Sequence, residues 1–167
     1  YGENYLDWNY YPTEEWKHNR TSNLVEEIYS NAAVHYKIFP FLEATVAGQY
    51  QMQRTHMQQH QSIESYAMRM LINQFSSYDN NTKSMHYAIP IGGRLTQSRL
   101  DGRSYTLRGQ LNGQKEWGQH GLILLLGSEL RENLMEGSTN SLYGYSEDPL
   151  RNVAVNYATN YTQIPAG

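Results

Sequence analysis

Ser104-Tyr105-Thr106-Leu107-Arg108-Gly109-Gln110-Leu111-Asn112 and Leu122-Ile123-Leu124-Leu125-Leu126-Gly127-Ser128-Glu129-Leu130-Arg131 decide the fold. In the first run Tyr105, Leu107, Gly109 and Leu111 share one side, and Thr106, Arg108, Gln110 and Asn112 the other. In the second, Leu122, Leu124, Leu126 and Leu130 oppose Glu129 and Arg131. A period of two is that of a β-strand, whose successive side chains leave opposite faces. The short linker Glu116-Trp117-Gly118-Gln119-His120 makes the pair an antiparallel hairpin. Ordinary strands run about 5–6 residues. These alternate for about the 9–11 residues that a tilted strand needs to cross a bilayer.

Upstream, Ile28, Ala32, Val34, Tyr36 and Ile38 oppose Tyr29, Asn31, His35 and Lys37. Phe39-Pro40-Phe41 turns the chain, since proline cannot donate to a ladder. Alternation resumes with Leu42, Ala44, Val46, Gly48, Tyr50 and Met52 against Glu43, Thr45, Gln49, Gln51 and Gln53. The predicted strands are thus about 23–38, 42–53, 103–115 and 120–132. Long connections fill 54–102 and 133–167. A helix is expected within Ile63–Phe75, a helical turn near Thr13–Lys17, an extended-then-turn element at Ile89–Gly93 and a short strand at Val153–Tyr157. The first long connection is expected to carry its own helix and hairpin. The aromatic opening segment from Tyr1 and the segment ending near Pro165 read as loops.

The polar faces are too rich in Asn, Gln and charge for a dry core. A water-filled lumen accommodates them. Short and long connections alternate, as the periplasmic turns and extracellular loops of transmembrane barrels do. The expected fold class is therefore all-β: long antiparallel strands forming part of a large transmembrane β-barrel, with a short helix in an extracellular loop. Four strands enclose no lumen and leave two open edges. The chain reads as a barrel segment or a sheet completed by other chains.

Composition narrows the function. The formal net charge of -3 gives no basic footprint for nucleic acid. Cysteine is absent, which excludes disulfides and thiolate chemistry. Mean hydropathy is -0.73 with only 17% charged residues, so the polarity comes from Asn, Gln, Ser, Thr and Tyr. Fifteen tyrosines against three phenylalanines suit half-wet surfaces such as membrane interfaces or sugar-binding loops. No run of eighteen apolar residues exists, and barrel strands need none. The chain opens at Tyr1 without an initiator methionine or signal segment, and reads as a mature product or an internal piece.

Several short segments in order resemble the middle of a SusC/RagA-type TonB-dependent outer-membrane transporter. They are Tyr36-Lys37-Ile38-Phe39-Pro40-Phe41-Leu42, Met68-Arg69-Met70-Leu71-Ile72-Asn73-Gln74-Phe75 and Ile89-Pro90-Ile91-Gly92-Gly93-Arg94-Leu95. Tyr105 to Asn112, Leu125-Leu126-Gly127-Ser128-Glu129-Leu130-Arg131-Glu132 and Ser141-Leu142-Tyr143-Gly144-Tyr145 follow. The resemblance implies a 22-stranded barrel with an N-terminal plug in the outer membrane of a Gram-negative, Bacteroidota-type bacterium. It implies import of oligosaccharide or peptide cargo driven through TonB, with a SusD-like surface lipoprotein as lid. The family's plug and TonB box have no counterpart here. The alternative is a soluble all-β glycan-binding module with a tyrosine-rich loop surface.

No nucleophile elbow, phosphate loop or dinucleotide fingerprint occurs, so no enzyme, cofactor or catalytic residue is expected. His56, His60 and Glu64 have helical i, i+4, i+8 spacing and suit zinc, but the flanking glutamines and the missing HExxH pattern favour solvated loop histidines. Glu129 and Glu132 fall on opposite faces of a strand, against an acid–base pair. Arg108, Gln110, Glu129 and Arg131 are the expected lumen-facing residues, with Arg108 and Glu129 placed to pair across the hairpin; the plainer reading is wall polarity. Tyr66, Tyr78, Tyr87, Tyr143 and Tyr145 are the candidates to touch substrate or partner.

Overall fold

The computed structural model describes residues 5–163; Tyr1 and Pro165 lie outside the described residues. The chain runs α1 (Pro12–His18), β1 (Asn19–Phe39), β2 (Leu42–Gln61), α2 (Tyr66–Gln74), β3 (Ser76–Asp79), β4 (Ser84–Tyr87), β5 (Gly93–Trp117), β6 (His120–Glu147) and β7 (Leu150–Val153). An antiparallel sheet takes the order β1-β2-β5-β6-β7, and β3-β4 form a separate hairpin. The all-β expectation holds, and the five-stranded sheet is open rather than closed. No described helix is long and apolar enough to cross a membrane, which says nothing about strands.

Pro40-Phe41 makes the tight turn between β1 and β2, Gly118-Gln119 that between β5 and β6, and Asp148-Pro149 that between β6 and β7. Gly118 alone of its turn has positive φ (58°), the pattern of a type II′ hairpin with glycine at the first central position. The strands outrun the alternation. β2 continues to Gln61 rather than 53, β5 starts at Gly93 rather than 103, and β6 reaches Glu147 rather than 132. Much of the expected loops 54–102 and 133–167 is therefore strand, including His56 and His60. The physical reason is that the apolar residues of these extensions are sparse and irregularly spaced, so they carry no period of two. Their ladders are held by the backbone and by pairs such as Gln59 with Asn19 (3.1 Å) and Arg94 with Gln61 (2.9 Å). The remaining connection between β2 and β5 carries α2 and the β3-β4 hairpin. The short strand expected at Val153–Tyr157 sits earlier, as β7, and the expected turn near Thr13–Lys17 is α1.

The chain divides into two compact units. The first comprises, among the described residues, 5–23, 56–98 and 139–163. Its core is Met68, Ile72 and Ile89, with Leu6, Leu71, Phe75, Tyr87 and Tyr143 packed around it. Ser65 caps α2, its hydroxyl accepting from the Met68 amide (3.3 Å). Asn73 on α2 is fully buried and grips Leu6 twice, accepting from its amide (2.9 Å) and donating to its carbonyl (2.8 Å). Arg69 donates to the carbonyls of Asp7, Asn9 and Glu64. These two side chains tie the segment before α1 down onto α2. Gly92 and Gly144, both at positive φ, approach so closely that a Cβ on Gly92 would lie 2.7 Å from the Gly144 Cα.

The second unit, residues 24–55 and 99–138, is the middle of the four long strands. None of its described residues is buried. It is one layer with two open faces, so its two faces carry whatever it does.

Candidate functional site

In the second unit the two faces differ in kind. On one, Arg108 donates to Glu129 through Nε (3.0 Å) and Nη2 (2.5 Å). Arg131 takes the other Glu129 oxygen (3.1 Å), and its Nε donates to Thr106 (3.3 Å). Gln110 donates to Asn112 (2.8 Å), and Ser104 to Asn133 (2.7 Å). Toward β1, His35 meets Thr45 (3.0 Å) and Glu43 (3.4 Å), and Gln51 donates to Glu27 (3.1 Å). Alternation put Arg108 opposite Glu129, and the structure brings them into contact. The same face also has an exception to its polarity: Ile123 and Leu125, next to the tight turn, point with Glu129 and are 81% and 69% exposed.

The other face is apolar and uncovered. Leu107, Leu122, Leu124, Leu126 and Leu130 are each 50–70% exposed, as are Val34, Tyr36 and Val46. Its strands meet through Tyr50 and Tyr105 (ring centroids 5.0 Å apart) and through Leu42 and Leu124, which flank Gly113. Charges stop it at both ends. At one, Arg54 (3.4 Å) and Arg99 (2.6 Å) pair with Asp101. At the other, the Lys115 ammonium sits 4.9 Å from the Phe41 ring centre. From Phe41 to Tyr50 the chain advances nine residues. At about 3.3 Å per residue and a tilt of about 40° that covers about 23 Å, close to the apolar band of about 25 Å on outer-membrane barrels.

In the first unit the five candidate tyrosines do not form one patch. Tyr66 stands edge-on to Tyr10 (5.2 Å), its amide donating to Glu15 (3.0 Å). Tyr78 is exposed on β3. Tyr87 packs on the core, so its ring supports the fold. Tyr145 meets His60 edge-on (5.3 Å). Tyr143 lines a cleft of about 340 Å³ walled by Leu71, Phe75, Ile89, Tyr143, Tyr157 and Tyr161. Tyr157 donates to the Ser141 carbonyl (2.8 Å) and lies 6.5 Å from Tyr143. Such a cleft can stack on a sugar ring or hold an apolar side chain. Its described lining carries no carboxylate, histidine or lysine for acid–base work.

His56 and His60 belong to β2 rather than to the expected loop, and the helical face that would align them with Glu64 does not exist. His60 turns to Glu147 (3.4 Å), which also pairs with Arg20 (3.3 Å), while Glu64 pairs with His18 (3.0 Å). Among the described residues no group of three or more metal-ligating side chains converges. On the β3-β4 turn, the Asn81 amide and the Thr82 hydroxyl donate to Asp79 (2.8 and 2.9 Å) and hold its carboxyl below the usual range. The Asn9 amide does the same for Asp7, helped by the Tyr11 hydroxyl and the Arg69 charge.

Sequence reasoning missed Thr106, Glu27, Glu43 and the arginines around Asp101, because each acquires its role from a partner on another strand. The signal that could have found the arginines is the abrupt end of the apolar alternation at Arg54 and Arg103. No protein-family model matches the sequence, and none of the curated proteins it was compared with is similar to it.

Proposed function

We propose that this chain is a wall segment of a SusC/RagA-type TonB-dependent transporter in the outer membrane of a Gram-negative bacterium. The single observation that carries the reading is the two-faced, one-layer sheet. An exposed apolar band of bilayer height, bounded by charges, backs onto a polar face laced with ion pairs. Lipid meets the first face and a hydrated lumen the second. Oligosaccharide or peptide cargo passes the polar face unchanged. A plug moved through TonB, and a SusD-like lipoprotein lid, belong to the same proposal. The soluble glycan-binding alternative would need a second layer over Leu122, Leu124 and Leu126, and these are half exposed or more.

These 167 residues hold no cysteine, so a thiol introduced into them is read as labelling above that of the unsubstituted protein. Asn80→Cys, at the β3-β4 tip, is expected to react with an impermeant maleimide on intact cells. Gln119→Cys, in the tight turn, is expected to react only after the outer membrane is broken. Equal labelling of both, or recovery in the soluble fraction without detergent, would overturn the proposal.

A further inference from the structure

On the polar face of the second unit a groove of about 290 Å³ crosses β1, β2, β5 and β6. Ala33 and Ala47 keep its floor low, and Asn31, Gln49, Arg108 and Arg131 stand around it. Alternation puts all of them on one face. The two guanidiniums share a single carboxylate. Arg108 donates to one Glu129 oxygen through Nε and Nη2, and Arg131 to the other through Nη2 (3.1 Å), while Arg131 Nε donates to Thr106 (3.3 Å). That leaves a net positive charge, and neither Nη1 group has a partner among the described residues. The Asn31 and Gln49 amides are likewise unpartnered among them. Glu27 and Glu43 share the face but do not line the groove, and they are engaged by Gln51 (3.1 Å) and His35 (3.4 Å).

The spare donors of a guanidinium fork fit a carboxylate. A side-chain amide sets a donor beside an acceptor, which suits the neighbouring hydroxyls of a sugar ring. The alanine floor offers no pocket for an apolar side chain, so a sugar fits it better than a peptide. We propose that this groove binds an acidic oligosaccharide, with a uronate carboxylate on the Nη1 groups of Arg108 and Arg131 and ring hydroxyls on Asn31 and Gln49. Reading that occupant as cargo rests on the barrel proposal, which makes this face the lumen wall.

The test titrates the intact, detergent-extracted protein with trigalacturonate, with neutral galactotriose and with triglutamate, read by calorimetry. Trigalacturonate should bind tightest. Arg108→Gln and Arg131→Gln, both at exposed sites, should each weaken it about tenfold, the loss of one hydrogen bond between charged groups. Glu129→Gln, which removes the competing carboxylate, should tighten it. Arg103→Gln, which removes the same charge from the opposite face, should change nothing. No binding of trigalacturonate, or binding that ignores Arg108→Gln and Arg131→Gln, overturns the site and leaves the barrel reading standing. So does galactotriose or triglutamate binding as tightly, which would make a neutral sugar or a peptide the occupant. Recovery of the protein without detergent, with the variants behaving as expected, keeps the site and overturns the barrel reading.

Discussion

Val46→Arg is the sharpest test of which face meets lipid. Val46 is on the apolar face, 54% exposed, four residues from Tyr50 and five from Phe41. At about 2.5 Å of depth per tilted residue it lies about 10–12 Å from each end of the band, at its middle. An arginine on the lipid face costs about 2–4 kcal/mol at the midplane and about 0–1 kcal/mol near the interface. Leu107, only two residues from Tyr105, is about 5 Å inside the edge. Leu107→Arg should therefore cost clearly less than Val46→Arg, because its side chain can reach the charged rim. Gln110→Arg, on the polar face at nearly the same depth as Val46, should cost under about 1 kcal/mol. The assay is urea-dependent folding into lipid vesicles, followed by heat-modifiable migration on gels. Equal costs for Val46→Arg and Gln110→Arg, or a larger cost for Leu107→Arg than for Val46→Arg, would refute the assignment of faces and depth.

Three further outcomes are expected. Glu129→Gln removes the acid shared by Arg108 and Arg131, yet both arginines are more than half exposed; the folding midpoint in the same titration should barely move, as for solvated ion pairs, and a shift as large as that of Val46→Arg would mean the face is dry. Asn73→Ala leaves the Leu6 amide and carbonyl without their buried partner, which should cost about 1–3 kcal/mol and open the segment before α1 to hydrogen exchange; unchanged exchange at Leu6 would refute the clamp. The Asp79 carboxyl is held below its usual range, so its contribution to the β3-β4 turn is present above the ordinary carboxylate pKa and fades as pH falls through the lowered folded value; the Asn81 amide shift in NMR should follow that fall, and a shift that moves at or above the ordinary carboxylate range would contradict it.

The sequence alone determined what local rules control. Alternation fixed β1, β2, β5 and β6 and the face of every leucine in the band, because side-chain direction in a strand has a period of two whatever it packs against. Pro40 and Gly118 marked the turns, because one lacks a donor and the other accepts positive φ. Helical spacing found α2 within a few residues. Arg108 and Glu129 could be matched because a tight hairpin sets the register of both strands.

Tertiary structure decided the rest. From Arg54 to Gln61 and from Asn133 to Glu147 the few apolar residues, such as Met57, Leu134 and Met135, do not alternate, so no period betrays a strand. Only the neighbouring ladder makes them one. Tyr87 and Tyr143 look alike in sequence to Tyr78, yet two of them pack on Met68, Ile72 and Ile89 and one is left in solvent. Which of these happens depends on contacts between residues far apart in the chain. A groove over Gly48, on the apolar face of the second unit, is the clearest case. A glycine in a strand is one more small residue in the sequence, and it becomes a trough only where Ala32 lies beside it and Leu107 and Leu130 rise around it. Direction along a strand is a local property, whereas depth, shelter and company are properties of neighbours that only the folded sheet supplies.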